Sequence, residues 1–522
     1  MPTAVRSSRL SLIVAWAAAS FFILGFFSPL VGAWTGAILG TWFVGTQKPW
    51  RGFLWMTAVP FVPSLIFGWR SLFLAGPQGA LQFVGWTLVA IGLGVLPFTF
   101  HRLTSPRLPG LLATLPLPLA AAAMRVLVLP LLPAAVMNHS NLVQSQQADL
   151  PLMQLGAIFG IGAIVFLVLW FAATLVWMWN HEFRASRIRL GGSLFAAAFV
   201  IAMNFGLYRQ VKGFPLPSSL PLGMTFAWIC LGCAAVLTLF AVLNPERHRA
   251  WADRRETLAH LQSPVTGNPL HVVTENGRET LVSSSGERFP IRNGIPTFLK
   301  PEDLTGDNGK YNHLYETIGG FYDDTQRFFG AFRGLSVDSY FLNYMSLLDV
   351  KPGDSVLESS VGTGLNFKYL PAGVKLTGLD LSPEMLVNCQ ANMRRWGMDA
   401  DLFLGNAEAL PFADCTFDVV YNAGAINFFN DRAKAIREMI RVAKPGSLIM
   451  VEDETEEYVK STYENIPFTS SFYSDRDKPV TVPVDLVPPE MEDIHVDMLK
   501  EGKFYAITFR KPVACQVEVA AQ

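Results

Sequence analysis

The sequence predicts a multi-domain chain: an all-α transmembrane bundle of about eight spans over residues 1–245, a small β-rich adaptor over 256–300, and an open α/β sheet over 308–512. Three observations predict it. Residues 10–243 are dominated by apolar runs, whereas residues 244–522 have ordinary composition. The stretch Asp354-Ser-Val-Leu-Glu-Ser-Ser-Val-Gly-Thr-Gly-Leu-Asn366 reads as a short buried strand that turns on glycines into a helix, which leaves backbone N–H groups facing a ligand with no side chain in the way. A second apolar run, Val374-Lys-Leu-Thr-Gly-Leu-Asp380, ends on a carboxylate, as the second strand of a βαβ unit does where it meets a ribose.

The totals fit this division. The 522 residues suffice for about three domains at ~150 residues each. A formal net charge of -1 supplies no basic field for nucleic acid, so no nucleic-acid partner is expected. Charged residues make up 16% of the chain, against ~25% in ordinary soluble domains, and the deficit falls in the first half. The cysteines, Cys230, Cys233, Cys389, Cys415 and Cys515, form no disulfide framework, which suits a cytoplasmic catalytic half. Cys230-Leu-Gly-Cys233 lies inside an apolar run and reads as two small residues of a membrane helix rather than a redox or metal pair.

By the criterion of ~20 apolar residues per span, spans lie near 10–27, 30–46, 52–69, 78–99, 108–133, 151–179, 190–208 and 219–243. Arg6-Ser-Ser-Arg9 resembles the start of a signal peptide, but no small-residue cleavage site follows, so the first run is read as a span. The fifth run carries Pro116, Pro118, Pro130 and Pro133 and is a candidate for a broken segment. Arg125 within it is a functional candidate, its alternatives being a snorkelling arginine or one paired with nearby carbonyls. With the N-terminus inside, the inner loops hold Arg6, Arg9, Lys48, Arg51, Arg102, Arg107, Arg184, Arg187, Arg189, Arg247, Arg249, Arg254 and Arg255, and the outer loops only Arg70, Arg209 and Lys212. This positive-inside bias predicts a multi-pass inner-membrane protein with its C-terminal half in the cytoplasm. Residues 244–260 read as a short basic helix attracted to anionic membrane lipid. The region from Leu150 to Gly162 and its neighbouring spans faintly resemble the membrane part of apolipoprotein N-acyltransferases. No nitrilase-like domain follows, so acyl transfer is not carried over.

The adaptor is carried by Leu261-Gln-Ser-Pro-Val-Thr-Gly-Asn-Pro-Leu270 and Phe289-Pro-Ile-Arg-Asn-Gly-Ile-Pro296. It resembles the short zinc-ribbon family of the activator subunit of tRNA methyltransferases. Ser263, Thr266 and Ser283–Ser285 stand where that family often carries cysteines, and hydroxyls are poor zinc ligands, so a metal-free module is expected.

In the last part, strands are expected at 355–358, 375–380, 401–404, 417–421 and 446–452, followed by a hairpin joining His495–Lys500 to Phe504–Arg510. Leu357-Glu-Ser-Ser-Val-Gly-Thr-Gly364, Thr377-Gly-Leu-Asp-Leu-Ser-Pro-Glu-Met-Leu386, Gly405-Asn-Ala-Glu-Ala-Leu-Pro-Phe412, Phe417-Asp-Val-Val420 and Arg441-Val-Ala-Lys-Pro-Gly446 follow in order. This series resembles class I methyltransferases dependent on S-adenosyl-L-methionine (SAM), closest to the ubiquinone/menaquinone-biosynthesis type. The resemblance implies a Rossmann-like sheet and SAM as cofactor. It places the cofactor at Glu358, Ser360, Gly362, Gly364, Asp380, Leu381, Asn406, Ala407 and Asn422. Asp380 would take the ribose diol, Glu358 would anchor the loop or reach the methionine amino group, and Met385 or Leu381 would flank the adenine. Two positions depart from the pattern: Ser360 replaces a glycine, and Asn406 replaces an aspartate. The helices before the first strand, with Tyr311 and Tyr322, correspond to a lid. No general base stands out among His313, His495, Tyr322 and Glu454, so the catalytic residues stay unassigned. The acidic run Glu452–Glu457 reads as a solvated loop or, less readily, a metal site.

A multi-span anchor exceeds what a soluble substrate needs. The leading expectation is therefore a membrane-integral methyltransferase acting on a hydrophobic or lipid-linked acceptor. A membrane transport or lipid-binding protein with a regulatory or degenerate methyltransferase half competes with it, as does a membrane-tethered protein methyltransferase. Phe321, Phe328, Phe329 and Phe332 are expected either to form an apolar doorway at the membrane or to pack on the sheet.

Overall fold

The structure is a computed structural model that describes residues 37–42, 95–128, 161–181, 191–211, 220–243, 250–275, 277–319, 322–323, 337–464, 470–473 and 479–513. The chain divides into two compact units, Met1–Arg247 and His248–Gln522.

In the first unit the described helices are α1 (Pro116–Val128), α2 (Ile161–Asn180), α3 (Ser193–Val211) and α4 (Leu220–Leu243). Proline sets the start of α1. Its missing N–H costs nothing at a first helical position, Leu115 accepts from the Leu119 N–H at 3.1 Å, and a short 3-10 turn, Gly110–Thr114, precedes it. The expected fifth span is thus broken, and Trp170 donates to Thr114 Oγ1 at the break, at 3.1 Å. Ala121 on α1 packs with Ile164, Val168 and Ala172 of α2, while Leu119, Ala122 and Ala123 receive Cys230, Ala234 and Leu237 of α4. Small residues on α1 allow this close approach. Cys230 is buried and Cys233 exposed, both as free thiols.

Among the described residues one segment, Gly162–Asn180, is long and apolar enough to cross a membrane; Ser193–Asn204 and Trp228–Leu243 are shorter apolar stretches. The expectation of an eight-span bundle is corrected to that extent. The 3-10 turn Gly110–Thr114 interrupts the fifth candidate ahead of α1. The candidates near 10–27 and 52–69, most of those near 30–46 and 78–99, and the aromatic doorway residues lie outside the described residues. Arg125 falls in α1, but its side chain also lies outside them.

The second unit opens with a four-stranded antiparallel sheet: β1 (Leu270–Glu275), β2 (Arg278–Ser283), β3 (Arg288–Arg292) and β4 (Ile295–Pro296). The β3–β4 hairpin closes on Asn293 and Gly294, both at positive φ, as a two-residue turn requires. At Ser263, Thr266 and Ser283–Ser285, hydroxyls gather on one carboxylate. Glu287 accepts from Thr266 at 2.6 Å and from Ser283 and Ser285 at 3.2 Å, and Ser263 Oγ accepts from the N–H groups of Val265 and Thr266. These hydrogen bonds hold the Glu287 carboxyl below its ordinary range. No group of three potential metal ligands occurs among the described residues.

The larger sheet holds seven strands: β5 (Ser355–Glu358), β6 (Lys375–Asp380), β7 (Ala400–Leu404), β8 (Phe417–Ala423), β9 (Ala443–Glu454), β10 (Glu492–Leu499) and β11 (Phe504–Arg510). Their order is β10-β11-β9-β8-β5-β6-β7, with β5 to β9 parallel and β11 antiparallel to both of its neighbours. This is a Rossmann-like arrangement. Strand order reverses between β5 and β8, and ligands of such sheets bind beyond the carboxyl ends of the strands at that point.

The small sheet is built onto the free edge of β7. Thr297 bridges to Leu404, the Phe298 N–H donates to the Leu404 carbonyl at 2.7 Å, and Trp251 is fully buried with its ring 5.2 Å from that of Phe403. Trp251, Leu281, Phe289 and Phe298 share one core with Leu379, Phe403 and Phe412. An edge strand that would otherwise invite pairing is thereby covered.

Candidate functional site

The site begins where β5 ends. Glu358 is buried, and its two carboxylate oxygens accept from Asn366 Nδ2 and from the Tyr421 hydroxyl, the latter at 2.9 Å. Tyr344 in turn donates to Asn366 at 2.6 Å. Glu358 therefore ties the glycine loop to β8. Burial pushes its carboxyl up to about 8. A raised folded value means that the folded state holds its proton more tightly than the unfolded chain does. Its contribution to stability is complete below the ordinary carboxyl range and is lost as pH rises through about 8. Glu358→Gln is expected to flatten the fall in thermal stability between about pH 4.5 and 8. An unchanged pH profile in the variant would show that Glu358 does not titrate there.

The loop itself turns on Gly362 and Gly364, both at positive φ. The two glycines differ in their surroundings. A Cβ on Gly364 would meet Cys389 Sγ at 2.7 Å and Met393 Cε at 3.0 Å, so Gly364 is fixed by packing. A Cβ on Gly362 would meet nothing within 4 Å, so its backbone borders open space. Asp380, at the end of β6, accepts from the Gly362 N–H at 2.7 Å and the Ser382 N–H at 2.8 Å. Burial raises its carboxyl to about 6 in spite of these bonds. Two backbone donors leave further lone pairs on a carboxylate.

Asn422, near the end of β8, is fully buried. Its Nδ2 donates to Ser359 and Ser360 hydroxyls at 3.0 and 3.2 Å, and its Oδ1 has no partner. Ser360 turns its own hydroxyl back to the Ser359 carbonyl at 2.9 Å. Helix α5 (Gly306–Ile318) crosses this end of the sheet. Its Asn308 binds the buried Glu408, and one turn on, Asn312 is buried with an unpartnered Oδ1. Asp323 forms a latch, accepting from Thr363 at 2.6 Å and Asn392 at 2.7 Å; neither it nor Asn312 was singled out from the sequence.

The remaining residues expected at the cofactor have other partners or positions. Asn406 Oδ1 accepts from the Glu408 N–H at 2.9 Å, and its Nδ2 donates to Asp303 at 3.2 Å, so this side chain caps a turn. Ala407 is buried in the main core. Leu381 is half-buried beside Asp380, and Met385 is buried on α7, the helix Pro383–Trp396 after a short α6 (Val337–Met345).

Beyond the end of β9 lies an aromatic and acidic cluster. Glu454 Oε1 accepts from the Tyr463 hydroxyl at 2.7 Å, while Glu454 Oε2 is buried without a hydrogen-bond partner. Tyr322 packs edge-on to Tyr315 at 6.0 Å, and Tyr463 packs on Tyr473 at 4.7 Å. Burial first, and the charge of Glu454 with it, hold the Tyr315, Tyr463 and Tyr473 phenols well above their ordinary range, so all stay protonated. β9 runs parallel to β8 and β8 to β5, so the end of β9 emerges at the same edge of the sheet as the glycine loop. Asp453 is fully buried; burial and then the Glu454 charge push its carboxyl far up. The first three residues of the acidic run thus end β9 instead of forming a solvated loop: Glu452 and Asp453 are buried, while Glu457 is exposed. Of the candidate bases, Tyr322 and Glu454 come together here. His495 sits exposed on the outer strand β10, bonded to the Asp493 carbonyl, away from them. His313 lies half-buried on α5.

A cavity of about 670 Å³ opens at the opposite edge of the sheet, at the strand starts. Three ion pairs line it, Arg254 with Asp401, Lys375 with Glu256 and Lys444 with Asp418.

Comparison with known proteins agrees with this geometry. Residues 357–451 match the family described as Methyltransferase domain. A demethylmenaquinone methyltransferase of Renibacterium salmoninarum is 40% identical over 103 residues, 20% of this chain and 42% of that protein. A ubiquinone/menaquinone biosynthesis C-methyltransferase of Bdellovibrio bacteriovorus is 35% identical over 104 residues, 19% of this chain and 44% of that protein. A malonyl-[acyl-carrier protein] O-methyltransferase of Erwinia pyrifoliae is 36% identical over 114 residues, 21% and 42%. The chain thus spans 42–44% of the length of these relatives. The second unit contains a class I SAM-dependent methyltransferase domain, and SAM is the cofactor this family implies. The open side of Gly362, the orphaned Asn422 Oδ1 and the free lone pairs of Asp380 fit such a cofactor.

Proposed function

We propose that this chain is a membrane-integral SAM-dependent methyltransferase that methylates a hydrophobic or lipid-linked acceptor, with its catalytic unit in the cytoplasm. The observation that carries the reading is the crevice at the β5/β8 switch point, where the open face of Gly362, the Asp380 carboxylate and the unpartnered Asn422 Oδ1 occur on one polar rim. When bound, SAM supplies an electrophilic methyl group on a sulfonium.

The chain's own residues orient and desolvate. Asp380 takes ribose hydroxyls on the lone pairs left by Gly362 and Ser382. Asn422 offers one oxygen acceptor whose orientation is locked by Ser359 and Ser360. Asp323 ties the segment after α5 to Thr363 of the loop and to α7, so that the crevice is covered. Excluding water there strengthens each of these contacts. Ser360 is compatible with this role because its hydroxyl is turned inward.

The membrane assignment is supported by the apolar segment Gly162–Asn180 and by the excess of arginine in the loops assigned to the inside. A hydrophobic acceptor is in keeping with the names of the menaquinone and ubiquinone relatives. The test uses full-length protein in lipid nanodiscs. Calorimetry should show binding of S-adenosylhomocysteine, and incubation of membrane extracts with methyl-labelled SAM should place label in the organic phase. Label confined to protein would favour a tethered protein methyltransferase. Absence of cofactor binding would favour the regulatory or degenerate alternative.

A further inference from the structure

The acceptor side of the crevice has a chemistry of its own. Glu454 is anchored through one oxygen by Tyr463, and its second oxygen is buried and takes no hydrogen bond. Neither Asp453 nor Glu454 forms an ion pair with any described lysine or arginine. Its backbone is fixed as well. Asn427 Nδ2 donates to the Glu454 carbonyl at 2.7 Å, the Asn427 N–H binds Asp453 at 2.8 Å, and Tyr505 donates to Asn427 Oδ1 at 2.8 Å. A carboxylate oxygen held this firmly, without a donor, awaits one from a ligand, because an unmade bond to a buried charged group is costly.

The surroundings select the donor. The Tyr463 hydroxyl reaches this carboxylate, the Tyr463 ring packs on Tyr473, Tyr473 packs on Tyr311, and Tyr322 packs edge-on to Tyr315 one turn along from Tyr311 on α5. Aromatic faces attract cations and tolerate neutral apolar groups. A buried carboxylate amid such rings repels an anion and pairs with an ammonium. An acceptor that presents a carboxylate or phosphate to the reaction is therefore disfavoured here.

We propose that the acceptor presents an amino group, bound by Glu454 Oε2 inside the tyrosine cluster and carried on an apolar scaffold. This rests on the methyltransferase reading above and names the substrate class within it. The amine donates N–H to Glu454 and lies against the rings, and its protonated form is held by charge as well.

The experiment titrates full-length protein in nanodiscs, saturated with S-adenosylhomocysteine, with three probes on one ring: benzylamine, benzyl alcohol and benzoate. Binding of S-adenosylhomocysteine is measured first, and its failure overturns the cofactor reading, not the acceptor proposal alone. Given a loaded protein, benzylamine is expected to bind at least about tenfold more tightly than benzyl alcohol, with benzoate weakest. Glu454→Gln keeps the Tyr463 contact and is expected to bring the amine and the alcohol to within about threefold, with unchanged affinity for S-adenosylhomocysteine. The ranking in the parent protein stands as a test even where the variant folds poorly. Equal or tighter binding of the alcohol or the benzoate, no binding of any probe, or an amine preference that survives in a folded Glu454→Gln protein overturns the proposal.

Discussion

Asp380→Ala is expected to weaken binding of S-adenosylhomocysteine roughly 100-fold, or about 3 kcal/mol, as two charge-assisted hydrogen bonds to a ribose diol are lost. Part of that loss comes from the loop. Asp380 also accepts from the Gly362 and Ser382 N–H groups, and alanine leaves both without a partner. Asp380→Asn separates the two contributions, since its single oxygen retains one of these contacts. The parent protein carries a further signature. Burial raises the Asp380 carboxyl to about 6. Below that pH the protonated acid has lost an acceptor that the ribose needs, so affinity should fall as pH drops through about 6 and stay flat in the alanine variant. Calorimetry across pH 5 to 8, a window of roughly one unit or more on either side of this value, checks both statements. Equal affinities in parent and variant would remove Asp380 from the site.

Trp251→Ala is expected to cost about 3–5 kcal/mol of stability in the second unit, the range for truncating a large buried aromatic side chain. Trp251 is fully buried, stacks near Phe403, lies under the Arg254 guanidinium at 4.9 Å and donates its indole N–H to the Gly294 carbonyl at 2.9 Å. Its own N–H is held by Glu279 at 3.0 Å. Truncation leaves a cavity between the small sheet and β7 and orphans the Gly294 carbonyl. Hydrogen exchange should therefore accelerate first at Phe298 and along Ala400–Leu404, where the two sheets join. Faster exchange confined to β1 and β2, with β7 protected, would mean that the seam does not depend on Trp251.

Much of the α/β half could be read from its sequence because its signals are local. A strand ending at Glu358, glycines at 362 and 364 and a carboxylate at 380 each follow from apolar runs and backbone geometry that neighbouring residues dictate. The C-terminal hairpin was legible for the same reason, although β9 runs longer than its apolar core suggests. In the first half, the prolines of the fifth run marked a candidate break, while composition alone did not fix where the turn falls. The turn before Pro116 depends on local backbone bonding.

What the sequence by itself determined is the order of the strands, the loop between them and the family to which that loop points. Tertiary structure decided which side chains still have bonding capacity. Asn406 Oδ1 already accepts from Glu408 and its Nδ2 donates to Asp303, each keeping one further bonding site, whereas Asn312 and Asn422 keep an oxygen without any partner. The run Glu452–Glu457 has the composition of a surface loop, yet Asp453 and one oxygen of Glu454 are buried among tyrosines drawn from distant segments. Residue type and spacing set what a side chain can bond. Whether that capacity is already satisfied depends on contacts between residues far apart in the chain, and only the fold brings those together.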